Sequence, residues 1–287
     1  VAIGYTAADA MDGTTAHSST TQGAVTSNHS LAIGAYALGA ESSGASYCIA
    51  IGGSALAAQN STLTSGARYS GDSINLAIGY AAGNNVSTGT RNVLIGHYAG
   101  VALVDDSGNT AVGYNALVGS TAGDGNTALG AYAMDAAITG GYNTALGYEA
   151  LSGAAAEMTD NTAIGTSALF YLNDVDSDGN VALGKNAGRT YDAGSAGNLV
   201  QALNCVLIGK DSKTSLGTTA SPAANQIVIG YNALGIGNNT IALGDTNITA
   251  IKGQVDFAAY SDRRIKRDVT NDDTGLALIE KLQPVTY

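Results

Sequence analysis

The chain contains no tryptophan, two phenylalanines, two prolines, two cysteines and only twelve lysines and arginines in 287 residues. Each shortage excludes something. A single thick core draws on bulky aromatics, whereas the apolar residues here are mostly Ala, Ile, Leu and Val; that selection suits thin, regularly stacked layers. Twenty-three acidic residues against twelve basic ones leave a net charge of −11. Nucleic acid is therefore not an expected partner, since phosphate binding needs Lys and Arg in surplus. No apolar run approaches the roughly 20 residues of a membrane-spanning helix, and no secretory leader opens the chain. No membrane insertion is expected. The sequence begins on Val1-Ala2-Ile3-Gly4, in mid-pattern. It is expected to be a fragment of a longer polypeptide, so the missing leader says little about the parent.

What is abundant is glycine, and it is periodic. A pattern N-T-A-[ILV]-G-Y-x-A-L places glycine at Gly4, Gly34, Gly52, Gly79, Gly96, Gly113, Gly130, Gly147, Gly165, Gly184, Gly209, Gly230 and Gly244. From Gly79 to Gly184 the spacings are 17, 17, 17, 17, 18 and 19. Internal repetition on this scale dictates the architecture. The residue before each glycine is Ile, Leu or Val, and two positions earlier stands Thr, Val, Ile or Leu; strand alternation points these two to one face. The residue between them is Ala in ten copies, so the opposite face must fit something close. The glycine permits a sharp bend that a Cβ would obstruct. A second short strand is expected beyond it, with Ala three positions after the glycine in eleven copies, and then a polar loop.

These apolar runs are short, glycine-interrupted and rich in β-branched residues, which excludes a helical reading. The expected fold is all-β: a β-solenoid over residues 1–250 of about thirteen coils, roughly 60 Å long at about 4.8 Å per coil. Two apolar faces per strand imply one inside the coil and one against a neighbour, with three-fold association around the fibre axis as the expected solution. The Ala-lined face is the one expected to need that neighbour. Asn stands four residues before the glycine in seven copies, from Asn75 to Asn180. These side chains either hydrogen-bond from coil to coil like rungs or each make their own turn. Cys48 and Cys205 share that register, eight coils apart. That is about 38 Å and far beyond disulfide reach, so two small buried thiols are expected.

The repeat spacing stretches over residues 9–29, 57–74, 189–203 and 214–224. Long loops on a rigid scaffold are where binding residues sit. Arg68 and Tyr69 in the second and Arg189 and Tyr191 in the third could stack on a sugar ring and pair with its acidic groups; the alternative is a tolerated insertion. Asp174-Val175-Asp176-Ser177-Asp178-Gly179 has the D-x-D-x-D-G opening of a Ca2+ loop. The usual Glu at its twelfth position is replaced by Lys185, and a soluble acidic turn is the plainer reading. His17, His29 and His97 have no metal-ligand spacing, and no hydrolase, Walker or dinucleotide fingerprint occurs. No catalytic carboxylate pair can be assigned from the sequence.

Charge density changes near residue 260. Residues 1–260 hold 7 basic and 18 acidic residues; residues 261–287 hold five of each. There the chain reads Ser261-Asp262-Arg263-Arg264-Ile265-Lys266-Arg267-Asp268. Leu276, Ile279 and Leu282 follow at helical spacing, with Pro284 as a stop. Residues 251–260 read as a connector, and a short α-helical segment is expected in 261–287.

The A-I-G-Y-x-A-L units, over about residues 1–250, resemble the head repeats of trimeric autotransporter adhesins, which form left-handed parallel β-rolls; similar repeats occur in phage tail fibres. The S-D-R-R-I-K segment followed by L-x-x-I-x-x-L-x-P-V-x-Y resembles the start of the intramolecular chaperone auto-processing domain of phage tail spikes and fibres. That resemblance covers about residues 256–287. It implies a homotrimeric virion fibre, made in the host cytoplasm and joined to other virion tail proteins. The fibre would bind a host cell-surface glycan or protein receptor and mature by self-cleavage beside Ser261. Ser261 would be the nucleophile and Lys266 its base. A serine hydroxyl needs such a base, and the neighbouring Arg263, Arg264 and Arg267 would lower the lysine's pKa. Only 26 residues follow Ser261, far short of a complete chaperone domain, so this fragment is not expected to cleave itself. A bacterial surface adhesin, an enzyme-bearing tail spike and a passive spacer are the rival readings.

Overall fold

The computed structural model describes residues 1–4, 30–40, 47–59, 74–119, 123–136, 139–153, 157–172, 177–189, 202–215 and 222–251. The chain divides into two compact units, Val1–Asn247 and Ile248–Tyr287. The helix expected from Leu276 to Leu282 lies outside the described residues.

The first unit is a parallel β-solenoid. Its strands are β1 (Ala2–Ile3), β2 (Leu31–Ile33), β3 (Ile49–Ile51), β4 (Leu76–Ile78), β5 (Val93–Ile95), β6 (Thr110–Val112), β7 (Thr127–Leu129), β8 (Thr144–Leu146), β9 (Thr162–Ile164), β10 (Val181–Leu183), β11 (Ala202–Leu203), β12 (Val206–Ile208), β13 (Ala223–Ala224), β14 (Ile227–Ile229) and β15 (Ile241–Leu243). Thirteen of them form one sheet in the order β1 to β10, then β12, β14 and β15; β11 pairs with β13 alone. Every pairing is parallel and in repeat register, as where Thr127, Ala128 and Leu129 lie beside Thr144, Ala145 and Leu146. No helix occurs among the described residues, so none there is long and apolar enough to cross a membrane.

The repeat glycine sets this register. From Gly4 to Gly230, twelve of the thirteen have φ between +125° and +140°, a region closed to side-chain-bearing residues. A Cβ on Gly96 would also stand 2.3 Å from the carbonyl oxygen of Gly113. Coils therefore touch backbone to backbone at this corner.

The structure reverses one expectation. The middle residue of each strand from β2 to β10, Ala in all but β5, is buried, and the flanking Thr, Val, Ile and Leu are half-buried or exposed. Alanine thus faces the coil interior, not a neighbour. The facing wall supplies a buried Leu or Met four residues after the glycine, as at Leu56, Leu117, Met134 and Leu151. A thin coil holds one large and one small side chain per layer, so the branched flanking residues are left outside.

The segment after the glycine is not the expected strand. Positions two and four beyond it have left-handed φ, for example Asn115 at 54° and Leu117 at 55°, or Tyr132 at 57° and Met134 at 52°. Left-handed residues alternate along the segment, yet its backbone still bonds from coil to coil. Leu117 N–H donates to Ala133 at 2.9 Å, and Asn115 N–H donates to His97 on the other side at 3.0 Å. Left-handed Leu or Met costs roughly 1–2 kcal/mol, and these bonds on both sides hold it there.

The asparagines join the coils. Asn126 N–H donates to Asn109 Oδ1 at 2.8 Å, and Asn143 N–H donates to Asn126 Oδ1 at 3.0 Å. The Asn126 amide donates to the Gly140 carbonyl at 3.1 Å. The ladder runs from Asn75 and ends where Cys205 N–H donates to Asn180 Oδ1 at 3.0 Å. Of the two readings left open, the coil-to-coil one describes the structure. Cys48 and Cys205 are both buried and unbridged.

Where the small–large layering is inverted, the inversion is compensated. β5 and β12 carry Leu94 and Leu207 in place of alanine, and glycine replaces the facing leucine at Gly83, Gly100 and Gly188. A Cβ on Gly83 or Gly100 would lie 2.6 Å from a methyl of Leu94; on Gly188 it would lie 2.9 Å from one of Leu207. Leu94→Ala is therefore expected to cost about 2–5 kcal/mol through the cavity it leaves. Gly100→Ala should be destabilising alone but less so in the Leu94→Ala background. Denaturant unfolding of the four proteins checks this, with an expected favourable coupling of about 0.5–3 kcal/mol.

Candidate functional site

The solenoid presents two regular surfaces, both set by the inward alanine. The first is the outer face of the thirteen-stranded sheet. At each coil it offers two side chains flanking the buried middle residue. The row next to the glycine is entirely Ile, Val or Leu, and Leu129, Leu146 and Leu183 are 41%, 41% and 45% exposed. The parallel row holds Leu76 and Val93, then Thr110, Thr127, Thr144 and Thr162.

The second surface lies just past the glycine corner. Tyr80, His97, Tyr114 and Tyr148 each follow a repeat glycine, and Tyr132 stands two residues after one. Their rings form an unbroken file, with centroid distances of 5.1 Å (Tyr80–His97), 5.7 Å (His97–Tyr114), 5.3 Å (Tyr114–Tyr132) and 5.9 Å (Tyr132–Tyr148). Tyr98 packs edge-on against both Tyr80 and His97. Tyr80, Tyr114 and Tyr148 are about half exposed.

Carboxylates border one end of this file. The Ser152 hydroxyl donates to Asp135 Oδ1 at 2.5 Å, and the Ser167 hydroxyl donates to Glu149 Oε2 at 3.3 Å. Burial raises the Asp135 pKa, and the Glu149 charge adds to the rise against the Ser152 bond. The Tyr132 phenol is held above its ordinary value by desolvation and by Tyr114. Tyr148 is raised chiefly by its hydrogen bond to Glu149. Both phenols therefore keep their protons at neutral pH.

The residues singled out in the sequence fall differently. Ser261 and Lys266 lie outside the described residues, as do Arg68, Tyr69, Tyr191, His17, His29, Asp174 and Asp176. Asp178 is described, and its Oδ1 accepts both the backbone N–H of Thr159 at 2.7 Å and its hydroxyl at 2.9 Å. Asp124 accepts Ser107 N–H in the same register, at 2.7 Å. Asp178 thus belongs to a second coil-to-coil ladder. Among the described residues no group of three His, Cys, Asp or Glu is placed to hold a metal ion. Arg189 is already engaged, with its guanidinium over Phe170 and Tyr171 at 5.1 and 5.5 Å.

Sequence reasoning did not find the aromatic file. Its signal was the tyrosine that recurs directly after the glycine; the corner geometry that brings these rings into line is what a linear pattern does not show. No protein-family model matches the chain, and no curated protein or solved structure does either.

Two carboxyls, Asp106 buried and Asp135 half-buried, tie stability to pH. Asp106 is 6% exposed; its Oδ1 accepts Gly123 N–H at 2.7 Å, and its Oδ2 has no hydrogen-bond partner. Burial, with Asp105 and Asp124 nearby, raises its pKa, as burial does for Asp135. A carboxyl raised in the folded state binds its proton more readily there than in the unfolded chain. Its contribution is present at low pH and lost as pH rises through the folded value. Lowering the pH from 7 toward the ordinary carboxylate range near 4 should therefore raise the contribution of these two carboxyls to the unfolding midpoint, while Asp211, held low chiefly by its hydrogen bond from Asn186, contributes in the opposite sense. Asp106→Asn and Asp135→Asn should flatten that rise, as read by thermal unfolding across the pH range.

Proposed function

We propose that this chain is the shaft of a homotrimeric extracellular fibre on a virion tail, serving attachment to a host surface. The observation that carries the reading is the outer sheet face. Its row of Ile, Val and Leu runs along the sheet and has no full cover among the described residues. An apolar strip of that extent marks an association surface, and a strip of constant register suits identical neighbours placed around an axis. Three copies around the fibre axis would shield it. The resemblance of the repeat to adhesin heads and tail fibres supports the same assembly.

The purified chain is expected to sediment at three times the 28.5 kDa of one chain. The double variant Leu129→Lys, Leu146→Lys should dissociate while keeping its β circular-dichroism spectrum. A wild-type chain that stays monomeric at micromolar concentration would sink the assembly reading.

The second half of the proposal concerns maturation and rests on the S-D-R-R-I-K resemblance alone. The full-length parent is proposed to cut itself beside Ser261, with Lys266 as the base and the downstream domain having served assembly. On gel electrophoresis the Ser261→Ala parent should remain a single uncut species. Loss of its C-terminal domain despite the substitution would rule the serine out.

A further inference from the structure

We infer that the aromatic file from Tyr80 to Tyr148 binds an extended glycan without acidic groups, laid along the solenoid axis with about one sugar ring per coil. The inference deepens the attachment reading above and takes its biological sense from it, although binding can be measured on the chain itself.

The file is periodic along the stack of coils. One ring stands on each of five successive coils, and neighbouring centroids are 5.1 to 5.9 Å apart. A sugar ring presents an apolar C–H face, and half-exposed aromatic rings offer the matching apolar, weakly electronegative surface. The residue rise of an extended β-linked glycan is close to the ~4.8 Å rise of a coil. A repeating ligand can therefore meet an aromatic ring at each coil, by face or by edge, since Tyr132 stands at 72° to Tyr114 and 77° to Tyr148. A partner of unrelated fold has no reason to carry that period; a second copy of this chain does, and the mass measurements below separate the two.

The rings are also held in place. These rings stand on coils locked by glycine contacts and by the asparagine ladder, and they pack on one another edge-on or tilted. Little side-chain freedom remains to be lost when a ligand arrives.

Charge and hydrogen bonding at the file select a neutral ligand. Asp135 and Glu149 border the file and are linked to Ser152 and Ser167. They supply acceptors for sugar hydroxyls and repel carboxylated or sulfated chains. The cation–ring contacts of the described residues lie elsewhere, with Arg189 on Phe170 and Tyr171 and Lys210 on Tyr231. Among the described residues no lysine or arginine lies over a ring of the file.

The test is affinity electrophoresis of the purified chain in gels containing hydroxyethylcellulose or polygalacturonate, with calorimetric titration of chitohexaose. Retardation by hydroxyethylcellulose, binding of chitohexaose and free migration in polygalacturonate are expected. The double variant Tyr114→Ala, Tyr148→Ala should bind about tenfold or more weakly. Tyr114→Phe with Tyr148→Phe keeps the ring faces and should stay within about threefold. The mass of each variant is recorded in parallel. Failure of the wild type to bind either neutral probe overturns the glycan inference, as does equal retardation by polygalacturonate or unchanged binding by the alanine pair. An alanine pair that falls to monomers assigns the rings to the subunit contact and also overturns it. A monomeric wild type that still binds would remove the assembly reading and leave this one standing.

Discussion

The contact on which this fold depends is glycine against glycine at the corner of each coil. Gly113 carries φ of 140°, and a Cβ there would sit 2.5 Å from the carbonyl oxygen of Gly130. No side chain can enter between coils at that point, so their backbones close to hydrogen-bonding distance and the register cannot slip by one residue. A slip would turn alanine outward and the branched residues inward, against a facing wall that leaves room only for the small partner. The asparagine ladder and the parallel strands add bonds to a stack already positioned by this corner.

Much of this was legible in the sequence because the constraint is strictly local. A glycine that cannot be replaced leaves a period, and the period yields coils, strands and a parallel sheet. The asparagine ladder was legible as one of two alternatives, since a side chain that caps its own turn and one that bonds to the next coil look alike in a single repeat. The inward face was not legible. Alternation separates Ala128 from Thr127 and Leu129, but the deciding residues are Leu117 and Met134 on the opposite wall, half a coil away. The segment after the glycine was read as a strand because its alternation imitates one. Its true period comes from left-handed residues such as Asn115 and Leu117; asparagine tolerates positive φ, but the apolar Leu117 does not announce it.

The interior follows a rule of its own, visible at Leu94. When the small side of a layer becomes large, the large side becomes glycine, at Gly83 and Gly100. Two such inversions, at Leu94 and Leu207, leave the outer geometry of the sheet unchanged: Val93 and Ile95 stay in register with Thr110 and Val112. Interior volume is thus conserved layer by layer, while the outward residues vary without disturbing it. This separation lets one backbone carry two different surfaces.

Those surfaces place different demands on their occupants. The outer sheet face is apolar along the row beside the glycine, and a row of Ile, Val and Leu gains most from a permanent neighbour that excludes water. The aromatic file is half exposed and edged by hydroxyls and carboxylates, a composition suited to a wet, exchanging ligand. Among the described residues the file spans the coils from Gly79 to Gly147, where the spacing is constant at 17 residues. Past Gly147 the spacing grows to 18, 19 and 25, and the position after the glycine becomes Thr166, Lys185 and Lys210 before tyrosine returns at Tyr231. Regular coils are what keep the rings in step. An insertion between two of them need not disturb the sheet, because the extra residues leave through the loop, and the sheet face duly continues through β10 and β12. Continuity of the sheet face therefore demands only the corner glycine, whereas the ring file also follows the residue that comes after it. A ligand that reads the spacing of rings would be confined to this stretch, and a partner that covers the sheet would not.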